Sequence, residues 1–235
     1  MKLLFFCLFG ICYSIFAAGQ NLQKRFGAKQ LVVVTTNDFS TIYGELTIYE
    51  LKNSKWLKIN HFPVVIGKNG FAWGNGILNN IPSAEKREGD GKSPAGVFSL
   101  GTAFGSAKPI EASKWPYLLI DNTCFCVDDS KSMYYNKIIN TDTTHVDWSS
   151  AEKMLIPVYE RGLVINDNTS AETNKGSCIF MHIWNSPDTG TAGCTAMSKT
   201  NLDLLLRWLD PAKKPLLVQM PKQEYSRIQS TYMLP

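Results

Sequence analysis

Ser177-Cys178-Ile179-Phe180-Met181-His182-Ile183-Trp184 reads as a buried strand, and Thr191-Ala192-Gly193-Cys194-Thr195 follows it closely. In the first stretch Ile179, Met181 and Ile183 alternate onto one side, the packed one. Cys178, Phe180, His182 and Trp184 fall on the other, so His182 is flanked along its face by two aromatics, as in the wall of a cleft. Twelve positions after this histidine comes Cys194, with a glycine just before it. A core histidine that merely satisfies its hydrogen bonds is the alternative. The nearby Gly-Cys favours function, and only three histidines occur in the chain.

A Cys–His pair is the minimum equipment for a thiolate nucleophile and its base. A free thiol titrates too high to be mostly thiolate at neutral pH, and a neighbouring imidazole lowers it and shuttles the proton. Gly193 permits tight backbone geometry and close approach of a substrate. Backbone N–H groups near Cys194 can then stabilise a tetrahedral oxyanion. The reaction these parts allow is acyl transfer through a thioester. The competing reading of Cys194 is a small buried hydrophobe or one half of a disulfide.

Outward from this segment the dominant signal is β. Leu31 to Thr36 is a short apolar, β-branched run, and Thr41 to Leu51 with Lys55 to Ile59 read as a hairpin turned at Lys52-Asn53-Ser54. Phe62 to Ile66 continues the pattern before a glycine-rich loop from Gly67 to Gly76. Gly96 to Leu100, Tyr117 to Asp121, Leu163 to Ile165 and Pro215 to Met220 are further strands. Two helices are expected. Ser149 or Ser150 caps a short one through Ile156, ended by Pro157. Ser198 caps a stronger one with Leu202, Leu205, Leu206 and Leu209 on one face, stopped at Asp210-Pro211. Many strands with few helices make a mainly β sheet or sandwich the expected class.

Met1 to Gly19 reads as a secretion signal: Lys2, an apolar run from Leu3 to Phe16, then the small residues Ala17-Ala18-Gly19. The run is short for a membrane span, and neither Cys7 nor Cys12 sits in a lipid-attachment context. The expected product is an exported, soluble protein, with residues 20–235 as a single domain. Those about 216 residues can bury a sizeable core. The formal charge of +4 is spread along the chain, which speaks against nucleic acid while leaving an anionic wall polymer unrepelled.

Four cysteines remain beyond the signal: Cys124, Cys126, Cys178 and Cys194. With Cys194 a free thiol, three are left for one bridge and one spare. Cys124 and Cys126 point to opposite faces of a strand and pair poorly with each other. We expect Cys126–Cys178, although spacing alone does not fix connectivity. The four do not make a zinc site, because Cys-x-Cys is too tight and no second ligand pair follows. Nothing in the sequence demands a metal or an organic cofactor.

His182, the loop after it and Thr191-x-Gly193-Cys194 resemble the active-site motif of the L,D-transpeptidase catalytic domain, the YkuD type. Lys92-Ser93-Pro94-Ala95-Gly96-Val97-Phe98 resembles the Thr-Pro-x-Gly-x-Phe strand entry of the same family. The likeness runs in order over about residues 60 to 220. It implies a YkuD-like β-sandwich catalytic fold, a place in cell-wall biogenesis and cell shape, and a periplasmic location. It also implies exchange at the stem peptides of peptidoglycan, with an acyl group passed to an amine acceptor: a stem peptide, a D-amino acid or a protein. Carried over by position, Cys194 is the nucleophile, His182 the base, and the carbonyl of Ile183 orients the imidazole. The Gly193 and Cys194 amides contribute to the oxyanion hole, and Trp184, Thr191, Trp73 and Phe180 are the substrate-side candidates.

Three departures stand out. Ala192 replaces the family's usual His, Ala196 replaces an Arg or Asn, and the loop between His182 and Cys194 is short. A hydrolase on the same scaffold, an L,D-carboxypeptidase or amidase, uses the same acyl-enzyme with water as acceptor. A catalytically inactive wall-binding module is the alternative from another class, supported by Ala192 and Ala196. A papain-like protease is disfavoured because there the Cys comes early and the His late. Gly91-Lys92-Ser93 fails as a phosphate loop, since Lys86 stands where its first glycine is needed and Pro94 blocks the helix. Phe71 and Trp73 within the glycine-rich stretch fit a binding groove or a plain surface loop equally. The polar stretch with Asp128-Asp129 and Tyr134-Tyr135-Asn136 is a solvated connection by composition and, by resemblance, a substrate-side loop.

Overall fold

The computed structural model describes residues 21–78 and 85–235. The expected secretion signal, Met1 to Gly19, lies outside the described residues. The chain begins with helix α1 (Leu22–Phe26) and strands β1 (Gln30–Thr36), β2 (Tyr43–Lys52), β3 (Lys55–Val65), β4 (Phe71–Trp73) and β5 (Ser93–Gly105). Strands β6 (Tyr117–Leu119), β7 (Cys124–Val127), β8 (Ile138–Asn140), β9 (Ala151–Lys153), β10 (Gly162–Ile165), β11 (Phe180–Ile183) and β12 (Thr195–Met197) follow. Helix α2 (Lys199–Trp208), strand β13 (Leu216–Pro221) and helix α3 (Lys222–Tyr232) end it. The described chain is mainly β, with three short helices.

Leu31 to Val34 is buried on both faces, the pattern of an interior strand that reads as a continuous apolar run. Strand β1 accordingly pairs with β13 in parallel and with β2 antiparallel. The β2–β3 hairpin turns at Asn53-Ser54, whose φ of 49° and 61° match the left-handed two-residue turn that follows the sheet's twist. One strand spans the two segments expected at Lys55 to Ile59 and Phe62 to Ile66, with a bulge opposite Ile48/Tyr49 absorbing the break in alternation.

The main sheet runs β10-β11-β12-β3-β2-β1-β13-β5, and β5 pairs back onto β10. The expected β-sandwich-like domain is thus built as a sheet closed on itself, which removes its open edges. Val32, Val34, Leu46, Ile48, Val97, Leu163, Met181, Met197 and Leu217 belong to one buried core. A second sheet, β8-β7-β9, stands beside this ring. Cys126 of β7 forms a disulfide with Cys178, the expected pairing, which ties the small sheet to the residues entering β11. Cys124 and Cys194 are free and buried.

Helix α2 starts at Ser198, whose side chain accepts from the Asn201 N–H, and buries Leu202, Leu205 and Leu206. The helix expected through Ile156 does not form. Residues 151 to 153 are instead strand β9, opposite Val127, Cys126 and Phe125. That segment is too short for helical hydrogen bonds to compete with a ready strand edge. The spacing of Tyr225, Ile228 and Tyr232 against the core explains α3, which sequence reading passed over.

Candidate active site

Strands β11 and β12 are parallel neighbours in register, with Met181 opposite Thr195 and His182 opposite Ala196. Cys194 precedes β12 by one residue and therefore arrives beside Phe180, whose backbone N–H donates to its sulfur at 3.3 Å. The thiol in turn lies 3.6 Å from the Cys178 carbonyl. Parallel pairing converts a spacing of twelve residues into side-by-side placement, and His182 and Cys194 line one cleft of ≈ 530 Å³.

The loop entering Cys194 is held from several sides. The Thr191 hydroxyl donates to the Cys194 carbonyl at 2.6 Å and accepts the Gly193 N–H at 3.1 Å. The Ser93 hydroxyl, at the start of β5, lies 2.7 Å from the Gly193 carbonyl and 3.0 Å from that of Cys194. Ser93 also accepts the Gly67 N–H at 2.9 Å. Gly193 has φ of 154°, a conformation that L side chains rarely adopt. Of the two amides expected in an oxyanion hole, that of Gly193 is already bonded to Thr191. Among the described residues the Cys194 amide makes no hydrogen bond.

His182 Nδ1 lies 2.8 Å from the Ile183 carbonyl, a geometry that makes Nδ1 the protonated nitrogen and leaves Nε2 as the acceptor. Burial pulls the imidazole below its ordinary pKa, opposed by the Ile183 hydrogen bond, so the ring is neutral at neutral pH. The thiol behaves differently from the sequence expectation. Burial pushes Cys194 up to about 12, the Glu152 carboxylate adds to this, and the Phe180 N–H, Lys86 and the Tyr159 hydroxyl oppose it. The structure therefore holds a neutral thiol near a neutral imidazole, with no direct hydrogen bond between them. Such contacts commonly tighten only once substrate is bound.

Of the substrate-side candidates, Trp184 and Thr191 line the cleft. Trp73 and Phe180 do not. Trp73 is buried in β4 with its ring against Phe39 at 5.6 Å, because the glycine-rich segment pairs with β5 instead of opening as a groove. The Phe180 side chain packs edge-to-face on Phe104 and Tyr159, so the alternation along β11 is correct but its second face is also covered. Phe180 meets the site only through its backbone N–H.

Three cleft residues have no counterpart in the sequence analysis, Tyr159, Glu152 and Lys86, while Asp128 comes from the stretch that the resemblance marked as a substrate-side loop. Tyr159 ends a single 3₁₀ turn, Pro157–Tyr159, and its ring meets His182 edge-on at 5.3 Å. Its hydroxyl donates to Glu152 at 2.5 Å. Lys86 is buried and paired with Asp90 at 2.6 Å. No spacing in the sequence links these residues to Cys194. Ser93 carried a signal as part of the Lys92–Phe98 motif. His61 and His145 are exposed and do not line the cleft. Among the described residues no group of His, Cys, Asp and Glu is arranged to hold a metal ion.

A closed β-sheet that presents a cysteine beside a histidine on adjacent parallel strands defines a candidate cysteine-nucleophile enzyme. The sequence matches the YkuD family, the L,D-transpeptidase catalytic domain, over residues 32–218, and the chain belongs to that family. No curated protein matches it. Among solved structures it is similar to Bdellovibrio bacteriovorus Bd1075, at 14% identity and a TM-score of 0.42. That match covers 85% of this chain and 52% of the other, so the chain spans about half the length of the solved relative.

Proposed function

We propose that this protein is an exported acyltransferase of peptidoglycan, in which Cys194 attacks a stem-peptide carbonyl and His182 is the base. Membership of the L,D-transpeptidase family supports the substrate class. The observation that carries the mechanism is the joint placement of Cys194 and His182 in one cleft, with Nδ1 turned to the Ile183 carbonyl. In this reading Nε2 takes the thiol proton as sulfur attacks, so the high proton affinity of Cys194 is overcome during the step and not beforehand. The C–S bond forms, the carbonyl electron pair moves onto oxygen, and the Cys194 N–H is the donor offered to it. Collapse expels the amine, which takes its proton back from His182. A second amine then attacks the thioester and restores the thiol. Trp184 and Thr191 flank the peptide.

The protein acts in the periplasm in this reading, after loss of residues 1–19, and residues 20–235 form its single domain. Among the described residues no helix is long and apolar enough to cross a membrane. Incubation of mature protein with stem-tetrapeptide muropeptides, read by mass spectrometry, tests the proposal. Wild type yields cross-linked or amine-exchanged products, and Cys194→Ala and His182→Ala yield none. A shortened tripeptide alone from wild type makes the enzyme a carboxypeptidase. Unaltered substrate with wild type refutes both.

A further inference from the structure

Tyr159, Glu152 and Cys194 come from three separate segments and meet at one point of the cleft wall. Glu152 belongs to β9 of the small sheet, opposite Cys126, which the disulfide fastens to Cys178 ahead of β11. Tyr159 is 3% exposed, its ring wedged edge-on against Phe104, Phe180 and His182. A phenylalanine would fill that space equally well. The hydroxyl therefore needs its own account. It donates to Glu152 Oε1 at 2.5 Å, and Tyr159 shares both the cleft wall and a buried cluster with Cys194. Two mutually satisfied buried groups are the plain packing explanation. Their position argues for more, since both face the thiol and act on it with opposite sign: the carboxylate disfavours a thiolate and the hydroxyl favours one.

We propose that Tyr159 is a catalytic residue, its hydroxyl donating to the Cys194 sulfur as that sulfur becomes anionic, and that Glu152 is the positioning residue that holds the hydroxyl. This rests on Cys194 being the nucleophile. The thiol proton goes to His182 Nε2, and the sulfur electron pair goes to the substrate carbonyl. The Tyr159 O–H bond stays intact throughout; it turns from Glu152 towards sulfur and back. Glu152 acts only through Tyr159 and through its charge. Phe180 N–H is the sulfur's other donor, so the anion would be met by two. Lys86, Glu88 and Asp128 are the remaining charged cleft groups: Lys86 is paired with Asp90, Glu88 accepts from the Ser177 and Tyr135 hydroxyls, and Asp128 lies beside Glu152.

Alkylation of Cys194 by iodoacetamide at pH 8.5, followed by intact-protein mass spectrometry, tests this on protein of residues 20–235 in a Cys124→Ser background, which removes the other free thiol among the described residues. Tyr159→Phe loses the donor and should slow alkylation about tenfold, one pH unit of thiol affinity. Glu152→Gln keeps an acceptor for Tyr159 but removes the charge, and should accelerate alkylation about tenfold. The acid limb of kcat/KM should move up in pH for Tyr159→Phe and down for Glu152→Gln. A purely structural pair would shift both variants in the same direction. Rates within twofold of wild type for both, or shifts of one sign, overturn the proposal and leave the nucleophile reading standing. Glu152→Gln keeps the test decisive if Tyr159→Phe does not fold. Full turnover by protein alkylated at Cys194 would instead remove the nucleophile reading, and this proposal with it.

Discussion

Replacing Cys126 and Cys178 together by Ala should cost about 4 kcal/mol of stability, from the entropy of a denatured loop freed of its cross-link. The bridged residues lie 52 apart in sequence. The enclosed segment includes β10, the strand whose pairing with β5 closes the ring, so the constraint bears on the whole fold and not on a peripheral loop. Both half-cystines are buried, which is why Ala is the replacement: Ser would add buried hydroxyls without partners. A loss of that size is a large part of the roughly 5–15 kcal/mol that domains possess. Urea unfolding followed by tryptophan fluorescence should give coincident curves for the variant and for reduced wild type, both well below oxidised wild type. Activity should fall at lower urea than global unfolding, because β9 and its Glu152 lose their tether before the ring opens. A difference under about 1 kcal/mol in both comparisons would refute the reasoning, since the bridge would not then constrain the denatured chain.

Two further outcomes follow from buried groups near the site. Gly162 sits opposite His182, and a Cβ there would meet the Phe104 ring at 2.3 Å. Gly162→Ala should therefore cost about 1–3 kcal/mol by overpacking, read by thermal unfolding, with activity reduced through the displaced Tyr159 and His182 rings. An unchanged melting temperature would show that Phe104 moves freely. Asp167 accepts the Asn75 N–H at 2.7 Å, and its Oδ2 has no partner among the described residues. Burial pushes its carboxyl up to about 6, opposed by the Asn75 hydrogen bond and Lys86. Its folded form binds a proton more tightly than the unfolded chain, so its contribution is full below about pH 4 and lost as pH rises through 6. Stability of wild type minus Asp167→Asn should fall by about 2 kcal/mol between pH 4 and 7. A pH-independent difference in urea unfolding would contradict this.

The strand of His182, the cleft-side faces of His182 and Trp184, the helix after Ser198 and the Gly-Cys loop were legible because each depends on neighbours within a few residues. Alternation places side chains on a strand whatever lies opposite, and a capped leucine stripe specifies a helix face locally. The disulfide was within reach for a related reason, since a free Cys194 left few pairings. Trp73 failed because burial of a glycine-flanked aromatic depends on whether its segment finds a strand to pair with. The segment before Pro157 failed likewise, as β7 offered it a partner that its own sequence does not announce.

The sequence by itself determined the class of fold and singled out Cys194 and His182 as the candidate pair, because strand periodicity and residue chemistry are local properties. Tertiary structure alone decided that Tyr159 and Glu152 line the same cleft as that pair, that the Gly193 amide is taken by Thr191, and that burial holds Cys194 as a thiol. The proton affinity of a group depends on how much water is excluded around it and which charges surround it. Both are set by segments far apart in the chain, and no local pattern encodes them.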